Sequence, residues 1–100
     1  MRIIIDECVP SIVKHGLPSL NIVSVQDMAG IKNGKLLRLV SDEFDVFITS
    51  DKNLRYQQNL VEIDIAILLL PSNQVPVIKN LLPQIDKALS TINPQAFVEI

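Results

Sequence analysis

Three short stretches of this chain are almost wholly apolar: Arg2 to Ile5, Val46 to Thr49 and Asp64 to Leu70. A strand with one wet face alternates apolar and polar side chains. These runs do not alternate, which is the pattern of parallel strands covered on both faces. Two further runs, Asn21 to Val25 and Phe97 to Ile100, complete a set of five, and helical patterns fall between them. That cadence predicts an α/β fold of three layers, a mostly parallel central sheet of about five strands with helices on both faces. The first, third and fourth strands should be central and the second should lie at an edge.

Pro10 suits the first turn of a helix running to about His15, with Gly16 in the left-handed position that ends it. Asn33 can cap a second helix whose Leu36, Leu37, Leu39 and Val40 face inward. Residues Lys52 to Asn59 read as a short helical turn or loop. From Gln74 to Ser90 the apolar residues recur at helical spacing, and Pro83, lacking a donor, should kink that helix or split it in two. No repeat or linker interrupts the chain, so residues 1–100 are read as a single domain.

With 100 residues and 48% hydrophobic content, one layered core can form without disulfide or metal staples. The single Cys8 cannot form an internal disulfide, and with the single His15 it cannot build a soft-ligand zinc site. The longest apolar segment, Ile65 to Leu70, is far short of the roughly 20 residues that span a bilayer, and Asp6 comes too early for a signal peptide. The expectation is a cytoplasmic chain with no membrane partner.

Nine Lys and Arg against eleven Asp and Glu leave a net charge of −2, so contact with a polyanion must be local. Lys32, Lys35, Arg38, Lys52 and Arg55, five of the nine cations, lie between residues 30 and 56. Phe44, Phe47, Phe97 and Tyr56 are too few to build a general base-stacking platform.

Ligands of open α/β sheets bind beyond the carboxyl ends of the strands, where loops and helix N-termini converge. That rule selects Asp6, Glu7 and Asp51. Asp6 ends the first strand and Asp51 the third; on neighbouring strands about 4.8 Å apart, their carboxylates would project side by side. A hydrated Mg²⁺ or Mn²⁺ would relieve their repulsion, because these hard cations accept one or two carboxylates, keep several waters and take phosphate oxygens as well. Each acid alone is more often a cap or turn former; the pair favours a metal. Glu7 ranks below Asp6 because it points away from its neighbour. Asp27, after the second strand, is either a water-mediated ligand or a turn residue. Thr49 is either a strand-favouring residue or a hydroxyl that holds a carboxylate or a metal-bound water. Cys8 reads as a small buried filler, His15 as a surface helix end, and Asp42, Glu43 and Asp45 as solvated surface at the far end of the sheet.

The segments "IIIDE", "GIKNGKLL" and "DVFITSDKNLRYQQNL" together resemble the short bacterial PIN-like domain proteins, relatives of PIN-domain ribonucleases and toxins. The likeness covers roughly residues 1–70. It implies a PIN-like fold, Mg²⁺- or Mn²⁺-dependent endoribonuclease chemistry on RNA, and membership of a toxin and antitoxin pair that commonly forms homodimers. Asp6 would match the metal ligand of the first strand and Asp51 that of the T-x-D motif. Active relatives carry a further acid near the start of a middle helix, where this chain has Lys32, Asn33, Gly34 and Lys35, and often another just after T-x-D, where it has Asn53. Asn33 and Asn53 can donate an oxygen to a metal or bond a phosphate but supply no countercharge. Lys52 and Arg55 would suit phosphate, Tyr56 a base face, and Gln57, Gln58 and Asn59 base edges or loop backbone. The alternative is a catalytically inactive PIN-like module that binds nucleic acid or a partner protein through the same crevice. A receiver-like phosphoacceptor domain expects a hydroxyl and a lysine ending the last two strands, and "AILLLPSN" and "AFVEI" do not provide them.

Overall fold

The computed structural model describes residues 2–6, 8–24, 44–50, 65–94 and 96–100. Its elements are β1 (Arg2–Ile5), α1 (Ile12–Gly16), β2 (Asn21–Ser24), β3 (Val46–Thr49), β4 (Ala66–Leu69), α2 (Val75–Thr91) and β5 (Phe97–Glu99). The protein is α/β, with a five-stranded sheet in the order β2-β1-β3-β4-β5 and every pairing parallel.

The continuous apolar runs occupy the interior of that sheet. Ile3, Ile4 and Ile5, all of β3 and all of β4 are buried, whereas β2 and β5, at the edges, are partly exposed. Pleating splits each central strand between two faces. Ile3, Ile5, Val46, Ile48, Ala66 and Leu68 join Val13 of α1 and Ile78, Ile85 and Leu89 of α2 in one core. Ile4, Phe47, Ile67 and Leu69 point to the opposite face and are buried as well.

Both described helices pack on the same face and against each other. The step from β1 to β2 moves toward one edge and that from β4 to β5 toward the other. Two crossovers that run in opposite directions over one face must differ in hand, so one of them departs from the usual right-handed rule.

One helix expectation is narrowed and another corrected. Of the kink or split expected at Pro83, the split does not occur: α2 runs unbroken from Val75 to Thr91. Proline frees the carbonyl four residues earlier, here that of Lys79, and both Pro83 and Lys79 are exposed, so water can take the lost bond. Gly16 does not end α1 in a left-handed conformation; it is the last helical residue, with the cap at Leu17. Its lack of a side chain serves packing instead, because a Cβ there would lie 2.6 Å from Leu82 Cδ1. The proposed second helix around residues 33–42 and the turn at 52–59 lie outside the described residues.

Candidate functional site

The strand order fixes where a ligand crevice can form. From β1 the chain moves outward to β2, then returns past β1 to β3, which makes β1 and β3 the strands flanking the topological switch point. Asp6 follows β1 and Ser50 follows β3, so both stand at the carboxyl ends of these two strands.

The ladder persists one residue beyond β1. The Asp6 amide donates to the Ile48 carbonyl at 2.9 Å, and the Leu70 amide donates to the Thr49 carbonyl at 2.8 Å. Ile5 pairs with Ile48, so the next step of the register sets Asp6 beside Thr49. Their side chains meet there: Thr49 Oγ1 donates to Asp6 Oδ2 at 2.9 Å, with Thr49 fully buried and Asp6 8% exposed. The chain then turns back, the Val9 amide donating to the Asp6 carbonyl at 3.0 Å.

That turn brings a thiol to the same carboxylate. Cys8 Sγ, half-buried, lies 3.5 Å from Asp6 Oδ2 and 3.8 Å from Thr49 Oγ1, and Ser50 Oγ donates to it at 3.2 Å. Among the described residues no buried side-chain nitrogen or oxygen lacks a hydrogen-bond partner. Cys8 packs, partly buried, against the core as a filler would, and it also bonds Asp6 and Ser50. Only the register between β1 and β3 reveals this, since Cys8 and Ser50 are 42 residues apart.

The remaining candidates, Glu7, Asp27, Asn33, Asp51, Lys52, Asn53, Arg55, Tyr56, Gln57, Gln58 and Asn59, lie outside the described residues. Among the described residues no group of three or more His, Cys, Asp or Glu gathers as a metal site. The donor set around Asp6 suits a hard cation all the same: one carboxylate and two hydroxyls are oxygen donors, and Mg²⁺ needs only one or two carboxylates beside its waters. Asp45 stands at the far end of the sheet, where its carboxylate accepts from the Arg2 amide at 2.7 Å and the Arg2 guanidinium lies over Phe44.

A groove of about 440 Å³ runs between α2 and β5, lined by residues such as Lys87, Ala88, Ile92, Val98 and Ile100. None of Asp6, Cys8, Thr49 or Ser50 lines it. Among the described residues no helix is long and apolar enough to cross a membrane. No family model, curated protein or solved structure matches the chain.

Proposed function

We propose that this chain is a PIN-like, metal-dependent endoribonuclease, the toxin of a toxin and antitoxin pair that works in the cytoplasm as a homodimer. The observation that carries the reading is the Asp6 carboxylate at the β1/β3 switch point, held in place by the buried Thr49 hydroxyl. Asp6 and Asp51 would hold Mg²⁺ or Mn²⁺, with Glu7 beside them. The ion would supply a polarised water and offset charge on a phosphodiester undergoing in-line displacement. Lys52 and Arg55 would meet RNA phosphates. A protein antitoxin would act by covering this crevice.

Calorimetric titration with Mn²⁺ and Mg²⁺, with Asp6→Asn and Asp51→Asn as controls, tests this reading. Binding that both substitutions abolish supports it, and no binding at millimolar metal overturns it. The amides Asn33 and Asn53, where active relatives carry acids, favour a second reading in which the crevice binds RNA or a partner without cleaving it. RNA cleavage by purified protein, lost in Asp51→Asn, would exclude that reading.

A further inference from the structure

The thiol at the end of β1 is a group that the proposed chemistry leaves unused. Cys8 stands in the loop after β1 and Ser50 in the position after β3, and the Ser50 hydroxyl donates to Cys8 Sγ at 3.2 Å. The thiol in turn reaches Asp6 Oδ2 at 3.5 Å, on the oxygen that Thr49 already bonds at 2.9 Å. Two neutral donors, one from the loop after β1 and one from β3, thus converge on one carboxylate oxygen. A carboxylate fixed through one oxygen keeps a set rotamer, and ligand side chains held in this way bind metal more tightly than mobile ones.

We propose that Cys8 is a positioning residue for Asp6: its S–H donates to Asp6 Oδ2, is itself aligned by Ser50, and fixes the carboxylate for a divalent cation. Cysteine suits this span better than serine, because the longer C–S bond carries the donor toward Asp6 while its sulfur stays within reach of Ser50 Oγ. The inference rests on the reading of Asp6 as a metal ligand, and its test separates the two.

Mn²⁺ titration of the full chain compares wild type with Cys8→Val, which removes the donor at similar size, and Cys8→Ser, which restores a shorter one. Cys8→Val is expected to weaken Mn²⁺ binding about three- to tenfold, the worth of one modest hydrogen bond, and Cys8→Ser to recover part of that loss. Wild-type affinity in Cys8→Val, or equal loss in both variants, overturns the positioning role while leaving the metal reading intact. Failure of the wild type to bind Mn²⁺ overturns both. The S–H infrared band of the metal-free protein gives an independent readout, since the chain has one cysteine and hence one band. It should rise in frequency in Asp6→Ala as the thiol loses its acceptor. An unmoved band would show that the thiol does not donate to Asp6.

Discussion

Thr49 and Asp6 sit side by side across the β1/β3 pairing, and the threonine hydroxyl donates to the aspartate carboxylate at 2.9 Å where almost no water reaches either residue. A buried carboxylate needs such a donor because desolvation penalises an unsatisfied acceptor more than a formed bond rewards it. Thr49→Val keeps the shape of the side chain and removes the hydroxyl. It should destabilise the fold by about 1–3 kcal/mol in urea unfolding, with Thr49→Ser losing less. Equal stability of Thr49→Val and wild type would show that this bond does not matter to the fold.

The core makes a contrast within a single helix. Ile85 of α2 is fully buried against the sheet, while Val77, two turns earlier, is 41% exposed. Ile85→Ala removes methylenes from a packed interior and should cost about 2–5 kcal/mol, whereas Val77→Ala should stay within about 0.5 kcal/mol. Chemical denaturation of the two variants checks the ranking, and similar losses would contradict the placement of α2.

Pro83 is the residue in α2 whose removal should help. It lies on the exposed side and deprives Lys79 of a helical hydrogen bond. Proline inside a helix costs about 3 kcal/mol relative to alanine, offset by roughly 1 kcal/mol because it also restrains the unfolded chain. Pro83→Ala should therefore stabilise by about 1–2 kcal/mol and raise the melting temperature. A lower melting temperature would mean that proline's restraint of the unfolded chain outweighs the helical bond it removes.

Gly16 and Leu82 couple α1 to α2. An alanine at position 16 gains helix propensity of up to about 1 kcal/mol but sets its Cβ 2.6 Å from Leu82 Cδ1, which must turn aside. In the wild-type background the two effects should nearly cancel. With Leu82→Ala beneath it, Gly16→Ala should show its full gain, so a double-mutant cycle should return a coupling of about 0.5–1 kcal/mol. Strict additivity would place the two side chains apart.

The strand pattern of the sequence carried most of this architecture. Runs without alternation mark β1, β3 and β4 as interior because a parallel strand covered on both faces has no polar side to show. The same reading found Asp6 at a strand end. It could not see that Ser50 meets Cys8 beside Asp6, since that contact depends on how β1 and β3 align, and pairing register is a property of two distant segments. Pro83 left a kink or a split open for a related reason: whether a helix continues through a proline depends in part on whether the freed carbonyl can reach water, and exposure is decided by tertiary packing. Gly16 was legible as a helix end, but the close approach of Leu82 to it, 66 positions away, was not.

Asp6→Asn separates the carboxylate's role in folding from its proposed role as a ligand. Asparagine keeps an oxygen to accept from Thr49, so metal-free stability should change by no more than about 1 kcal/mol. Its charge is gone, and with it the attraction for a cation. At ten times the dissociation constant, a metal that binds only the folded state adds about 1.4 kcal/mol, or roughly 5–10 °C in the melting temperature of a domain this size. Wild type should show that rise with Mn²⁺ and Asp6→Asn should not. A Mn²⁺-dependent rise that survives in Asp6→Asn would move the cation away from the β1/β3 crevice.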